Sequence, residues 1–183
     1  NPQQPKKINF SKKFKSISCG AYHTIAIDED YYLWGWGWNS LGQIGIKNRI
    51  DVSKPTRIAT DEKMKQVSCG YSHSMAITEY GDVWSWGFNE NYELGIGEID
   101  SSSIPVKVNS VDNIQFICAG GSHSITLNHQ GNLHAFGWNE EGQLGTGNWK
   151  DCSEPENVNF PVPTTIKNYC LIRGRATKSA RFK

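Results

Sequence analysis

Three histidines stand at equal intervals in this chain, and imidazole is both a common metal ligand and a common proton carrier. They are His23, His73 and His123, each 50 residues from the next. A zinc site needs three or four ligands that meet at one point, about 2 Å from the ion. The surrounding sequence repeats with the same 50-residue period, so each histidine belongs to a different repeat unit. Equivalent side chains of successive units do not meet at one point. The spacing therefore favours structural hydrogen bonding, and we predict no metal and no other cofactor.

Residues 142–147, with the sequence GQLGTG, have the glycine content of a phosphate-binding loop. A phosphate loop requires Gly-Lys-Ser/Thr, or a glycine run that opens a helix. Neither is present, and a similar stretch recurs at the same place in each repeat. These glycines are therefore predicted to serve turns and close backbone packing.

Four acids follow a repeated asparagine, and paired carboxylates are a common choice for general acid and base catalysis. They are Glu90, Glu93, Glu140 and Glu141. Because no pocket and no nucleophile with an activating base can be recognised beside them, no enzymatic activity is predicted. We expect a solvated rim, with a patch that binds a basic partner as the alternative. Trp149, in a predicted loop, is a further candidate for contact with a partner.

Positive charge is concentrated at the two ends of the chain, although the net charge is only +1. All 18 acids lie between Asp28 and Glu156, so the body is acidic and both ends are basic. Such ends bind nucleic acid or another acidic surface, or are simply solvated. The candidate contacts are Lys6, Lys7, Lys12, Lys13, Lys15, Lys167, Arg173, Arg175, Lys178, Arg181 and Lys183.

A phrase of 23 residues occurs three times at a step of 50 residues, without insertion or deletion. It reads HTIAIDEDYYLWGWGWNSLGQIG from position 23, HSMAITEYGDVWSWGFNENYELG from position 73 and HSITLNHQGNLHAFGWNEEGQLG from position 123. A fixed period of this size is the mark of a repeat architecture. Besides the histidines, the repeated positions predicted to be structural are Gly20, Gly70, Gly120, Trp36, Trp86, Gly37, Gly87, Gly137, Asn39, Asn89 and Asn139.

Each repeat is predicted to form four short strands, which in the second repeat lie near residues 55–59, 64–68, 73–78 and 82–87. Side chains alternate large and small along the last two strands, and Gly, Pro, Asn and Asp separate the strands. A sheet that must cover both faces is expected to stack against equivalent sheets. Radial stacking of four-stranded sheets is a β-propeller, so the fold class is predicted to be all-β.

These repeats resemble those of the regulator of chromosome condensation family. The resemblance is carried by I/V-x-x-G-x-x-H-[ST], a Trp-Gly-x-Asn strand end, G-Q-[IL]-G and S-x-P, over residues 5–159. Kelch repeats, the alternative, have a similar period but lead with a double glycine, which occurs here only at Gly120–Gly121. The family's propellers have seven blades, so the resemblance implies that this chain is a three-blade segment with the start of a fourth.

The predicted organisation follows the repeat. A basic N-terminal arm covers residues 1–16, the blades cover 5–54, 55–104 and 105–154, a fourth blade begins at 155–166, and a divergent basic tail covers 167–183. Three blades do not close a ring at ordinary blade angles. We therefore expect further chain, another protein over the open edges, or self-association, because an uncovered sheet edge promotes aggregation.

The absence of a catalytic constellation favours a scaffold module that binds protein partners in a larger assembly. The resemblance implies an alternative, guanine-nucleotide exchange on a Ran-like small GTPase, although no insertion corresponds to the β-wedge used for exchange in that family. Docking on nucleic acid, chromatin or the ribosome through the basic ends is the third hypothesis.

The composition adds an expectation about location. No apolar run approaches the roughly 18–20 residues of a membrane span, so no membrane partner is predicted. Five cysteines without a CxxC pair favour a reducing compartment. We therefore expect an intracellular protein, with nucleus, cytoplasm, cytoskeleton and organelle all left open.

Overall fold

The computed structural model describes residues 10–159, together with Gln4, Lys7 and Ile8. These residues form three four-stranded antiparallel sheets, each in simple up-and-down order. The first sheet contains β1 Phe14–Cys19, β2 His23–Asp28, β3 Leu33–Gly37 and β4 Val52–Arg57. The second contains β5 Met64–Cys69, β6 His73–Thr78, β7 Val83–Gly87 and β8 Ser102–Lys107. The third contains β9 Ile114–Ala119, β10 His123–Asn128, β11 Leu133–Gly137 and β12 Cys152–Val158.

The repeated histidine and glycine set the register of the two central strands in every sheet. His23 lies opposite Gly37, and the same pairing joins residues 73 with 87 and 123 with 137. Gly70 shows why glycine comes three residues before the histidine. A Cβ at Gly70 would lie 2.1 Å from the Cε1 atom of His73, so only glycine leaves room for the imidazole.

The sheet boundaries correct the predicted blade boundaries. The strand expected at 55–59 as the start of the second blade is instead β4, which pairs with β3 through Trp34–Arg57 and Gly37–Val52. In the same way, β12 completes the third sheet, so its residues do not begin a fourth blade at 155. A sequence repeat gives the length of a blade but not the residue at which a blade begins. Here the chain returns after the long loop and pairs with β3, so the strand after that loop ends the first blade. Residues 160–183, including the predicted basic tail, lie outside the described residues.

The core lies between neighbouring sheets. Ile25, Ile27, Leu33 and Ile58 of the first sheet pack with Met64, Val67 and Trp86 of the second. An equivalent cluster joins the second sheet to the third. The contacts of β1 with β5 and of β5 with β9 place these first strands along the inner side of the stack. The all-β propeller architecture is therefore confirmed, as three blades packed face to face.

Each face of a sheet combines large and small residues, although large and small side chains alternate along each strand. Ile25 lies opposite Gly35, whereas Ala26 lies opposite Trp34 on the other face. Large and small residues thus pair across the strands, and both faces are mixed. The β3-type aromatics face the preceding sheet, and the β2-type aliphatics face the next one. Within the described residues, no helix is long and apolar enough to cross a membrane.

Candidate partner-binding surface

One end of the stack carries the longest connections between strands. The short turns between the first two strands of each sheet lie at the same end as the long loops that follow the third strand. We call this end the loop face, made of residues 20–22, 38–51, 70–72, 88–101, 120–122 and 138–151. The opposite end carries the turns between the second and third strands, and we call it the turn face.

A buried asparagine fixes each long loop. The Oδ1 atom of Asn139 accepts a hydrogen bond from the Leu144 amide at 3.0 Å, and its Nδ2 atom donates to the carbonyl oxygens of Asn148 and Lys150, both at 3.0 Å. Asn39 and Asn89 make the same kind of contacts in their loops. One side chain thus closes a loop of about a dozen residues, which gives the loop face a preformed shape.

The repeated histidines link one sheet to the next. Ser124 donates its hydroxyl hydrogen to the carbonyl oxygen of Glu93 at 2.8 Å, so its Oγ atom accepts from Nε2 of His73 at 3.0 Å. His23 and Ser74 repeat this arrangement one sheet earlier, at 2.8 Å. Burial lowers the pKa of His23 to about 4. The histidines therefore bond to serines, and among the described residues no group of three or more His, Cys, Asp and Glu side chains could hold a metal ion.

A cleft of about 260 Å³ opens on the loop face where the three repeats meet. Trp38, Tyr71 and Phe88 supply its aromatic walls, and the buried residue Glu93 also lines it. The remaining lining residues are Leu41, Ser72, Gly121 and Ser122. Pockets for drug-sized ligands usually measure about 300–1,000 Å³. This cleft is therefore better matched to a single large side chain than to a whole metabolite.

Tyr22 extends the aromatic surface beyond the cleft. The ring of Tyr22 makes an edge-to-face contact with Trp38 at 6.0 Å and with Tyr71 at 6.1 Å. Both tyrosines are more than half exposed. Exposed clustered aromatics mark protein interaction sites, since tyrosine and tryptophan are enriched among residues that dominate binding energy.

The predicted acidic candidates occupy two different environments. Glu90, Glu140 and Glu141 are exposed on the loop face, whereas the Glu93 side chain is only 1% exposed. The Glu93 carboxylate accepts hydrogen bonds from the backbone amide and side-chain amide of Asn91, at 3.1 and 2.9 Å. Burial raises the pKa of Glu93. Glu93 thus stands at a lining position of the cleft where the other two repeats have Gln43 and Gln143.

Two lysines of the N-terminal arm contact residues of the turn face. Lys12 forms a salt bridge with Asp30 at 2.6 Å, and that contact raises the pKa of Lys12. The ammonium of Lys15 lies 3.2 Å from the centre of the Tyr31 ring. Two bases proposed for nucleic acid or an acidic partner are thus engaged with the turn face of their own chain. Lys7 and Lys13 are exposed, and the remaining candidates, Lys6 and the six C-terminal bases, lie outside the described residues.

Trp149 is 69% exposed, and its ring lies against Gly142 at the outer side of the third sheet. Trp149 therefore belongs to the long loop of the third sheet, whereas the cleft is built mainly by the long loops of the first and second sheets. The aromatic residues of the cleft were not among the predicted partner contacts. For Tyr71 the signal in the sequence is a departure from the repeat, because positions 21, 71 and 121 read Ala, Tyr and Gly. Trp38 and Phe88 stand at a position that is aromatic in all three repeats.

The fold is a stack of four-stranded sheets, and a buried asparagine holds each long loop in place. These features define a repeat protein of the propeller class, and its loops form a surface that can bind a partner. The family model of the RCC1-like domain matches residues 1–176. The chain therefore belongs to the RCC1-like family, in agreement with the resemblance of its repeats.

Curated relatives match only short parts of this chain. The ultraviolet-B receptor UVR8 of Arabidopsis thaliana is 49% identical over 39 residues, which are 21% of this chain and 9% of the receptor. An RCC1 repeat-containing protein of Schizosaccharomyces pombe is 37% identical over 51 residues, which are 28% of this chain and 14% of that protein.

Two solved structures agree with the fold over most of the described residues. Prp20p from Saccharomyces cerevisiae, a protein described with its binding properties to Gsp1p and histones, matches with a TM-score of 0.75 and 25% identity. The match covers 81% of this chain and 39% of Prp20p. Human WBSCR16 matches with a TM-score of 0.73 and 22% identity, covering 81% of this chain and 38% of that structure, which supports the fold alone.

Proposed function

We propose that this chain is a non-catalytic interaction module that binds a protein partner through the loop face. The observation that carries this proposal is the cleft formed by Trp38, Tyr71 and Phe88 at the meeting point of three repeats. Its walls come from loops that buried asparagines hold in place, so little conformational entropy is lost when a partner binds. The membership in a family of repeat platforms supports the same reading.

The chemistry of the cleft favours a basic side chain of the partner. Aromatic faces attract ammonium and guanidinium groups by about 0.5–2 kcal/mol, more as water is excluded. Glu93 also lines the cleft, and exposed Glu90 follows Asn89 on the same loop. An arginine or lysine that enters the cleft would therefore meet both aromatic faces and a negative charge.

Binding of an arginine-containing peptide to the full chain, measured by calorimetry, tests this proposal. Trp38→Ala should weaken binding at least tenfold, because it removes one wall of the cleft. The Glu93→Gln variant should fold, since Gln43 and Gln143 already accept the equivalent backbone hydrogen bond in the other loops, yet it should also bind more weakly.

The matched control is Tyr80→Ala, which removes a tyrosine that is 76% exposed on the turn face. This variant should bind the peptide like the parent chain. Equal weakening by Tyr80→Ala and Trp38→Ala would refute a specific cleft, and so would equal binding of a peptide whose arginines are replaced by glutamate.

Guanine-nucleotide exchange is the second candidate, and the likeness to Prp20p is the observation that favours it. The loop face would then contact a Ran-like small GTPase. A nucleotide-release assay with such a GTPase should show faster release in the presence of the chain. No acceleration at micromolar protein would reject exchange while leaving the peptide-binding proposal intact.

A further inference from the structure

Two departures from the repeat meet in the cleft of the loop face. Tyr71 stands where the first and third repeats have alanine and glycine, and Glu93 stands where both have glutamine. Both residues line the cleft. A side chain that only held the repeats together would be expected to recur in each of them, as the loop asparagines do. An added aromatic ring and an added acid at one place therefore indicate a site for a ligand.

The walls of the cleft are fixed before a ligand arrives. The ring of Tyr22 contacts both Trp38 and Tyr71 edge to face, and a hydrogen bond with Tyr22 raises the pKa of Tyr71. The Tyr71 amide donates to the Gly121 carbonyl at 3.0 Å. Walls held in this way lose little conformational entropy when a ligand binds.

The charge on the second long loop favours a cation. Residues 88–101 contain four acids, Glu90, Glu93, Glu98 and Asp100, and no lysine or arginine. The first and third long loops each contain at least one base. Since aromatic faces also attract cations, the aromatic walls and the charge of this loop select the same kind of ligand.

Several acceptors along the cleft already receive hydrogen bonds from the chain. The Ser72 carbonyl accepts from the Phe88 amide at 3.0 Å, and the Ser122 carbonyl accepts from the amide that follows β11 at 2.9 Å. The two carboxylate oxygens of Glu93 accept from Asn91 at 2.9 and 3.1 Å. A ligand with many N–H donors would therefore give up hydrogen bonds to water without full replacement, which costs free energy.

The cleft thus distinguishes cations by the number of donors that they carry. A lysine ammonium has three N–H donors and an arginine guanidinium has five. A quaternary ammonium has none, yet it keeps its positive charge. Groups of aromatic side chains recognise such cations in choline and in methylated lysine.

We propose that the cleft binds a trimethyllysine side chain of a partner protein. This inference rests on the proposed function, a loop face that binds a partner, and names the group that is recognised. A side chain suits the cleft better than a free metabolite, because the cleft measures only about 260 Å³. The exposed rings of Tyr22 and Tyr71 continue the surface beside it and would contact the residues that flank the lysine.

Calorimetry on the full chain tests the proposal with one peptide whose central side chain is arginine, lysine or trimethyllysine. The trimethyllysine peptide should bind at least about tenfold more tightly than the lysine peptide, and more tightly than the arginine peptide. A fourth peptide, with a carbon atom in place of the charged nitrogen, should lose this gain because it is equally bulky but neutral. Equal binding of the lysine and trimethyllysine peptides would overturn the proposal, and so would equal binding of the neutral analogue.

The same series separates this inference from the proposed function. If the arginine and lysine peptides bind and trimethyllysine adds nothing, the inference alone is wrong. If none of the peptides binds, the proposed function is wrong and the inference falls with it.

A substitution in one wall gives the second test. Tyr71→Leu removes an aromatic face but keeps apolar bulk, and the chain should fold because Tyr71 is 51% exposed. The preference for trimethyllysine over lysine should fall by about fivefold or more. Tyr80→Leu is the matched control: it makes the same change at a tyrosine that is 76% exposed on the turn face, so the preference should stay. An unchanged preference in Tyr71→Leu would contradict the aromatic site.

Competition with choline separates a protein side chain from a free quaternary cation. Choline should bind at least about tenfold more weakly than the trimethyllysine peptide, because it lacks the residues that flank the lysine. Choline that binds as tightly as the peptide would show that the cleft holds a free cation, and it would overturn docking of a partner's side chain.

Discussion

Single side chains in this protein act mainly by joining segments that are distant in the chain. His73 bonds to Ser124 of the next sheet, and Asn139 closes its own loop. The sequence predicted that these residues are structural, because they recur once per repeat and do not converge. It did not predict the cleft, because Tyr22 and Tyr71 break the repeat and a repeat-based analysis passes over single departures.

Burial of His73 predicts a loss of stability at low pH. Burial, with smaller contributions from His23 and His123, lowers the pKa of His73 to about 3. Above pH 6.5 the imidazole is neutral in both the folded and the unfolded chain, so stability is unaffected. As the pH falls from 6.5 toward 3, the unfolded chain binds a proton that the folded chain excludes, and the free energy of unfolding falls by about 1.4 kcal/mol per pH unit.

Urea unfolding of the parent and of His73→Gln at pH 7 and pH 5 measures this effect. The variant should show the smaller decrease between the two pH values, because it lacks the titrating group. His129→Gln, at an exposed turn position, should behave like the parent. Identical pH dependence of the parent and His73→Gln would contradict the account.

The loop asparagine has a second measurable consequence. Asn139→Ala leaves the Leu144 amide and the carbonyls of Asn148 and Lys150 without their partner, and an unsatisfied buried polar group costs about 1–3 kcal/mol. We expect the free energy of unfolding to fall by about 2 kcal/mol or more, whereas Asn132→Ala, at an exposed turn, should change it by less than about 0.5 kcal/mol. Equal effects of the two substitutions would argue against the fastening role.

At the scale of the strand and the sheet, sequence periodicity carried most of the information. The predicted strands at 64–68 and 73–78 correspond to β5 and β6, and the register follows the repeated His and Gly. The phase of the blades was wrong, because the pattern of a repeat is the same wherever counting begins. Only the pairing of β4 with β3 shows that the strand with the Ser-x-Pro motif belongs to the first sheet.

Packing between sheets predicts unequal effects at one repeat position. Trp86 is fully buried, and its Nε1 atom donates to the Gln43 carbonyl at 2.9 Å. Trp86→Ala should therefore lower the free energy of unfolding by about 3–5 kcal/mol. Trp36→Ala, at the partly exposed equivalent, should cost less when measured by urea unfolding of the dilute chain. A larger loss for Trp36→Ala would contradict the observed order of the sheets.

The described residues form a stack of three blades, with a repeated scaffold and a loop face at one end. The scaffold is built from the groups that recur in all three repeats, and the loop face adds groups that do not recur, such as Tyr22, Tyr71 and Glu93. The basic charge of the N-terminal arm lies in part on the turn face, where Asp30 and Tyr31 engage it. Recognition of a partner is therefore expected at the loop face, at the junction between repeats.

Hydrogen–deuterium exchange of the full chain, with and without an arginine-containing peptide, tests this claim most directly. The account predicts slower exchange on binding in residues 70–72 and 88–93, which border the cleft, and unchanged exchange in residues 79–82 on the turn face. Slower exchange confined to the turn face, with residues 70–72 and 88–93 unchanged, would contradict it.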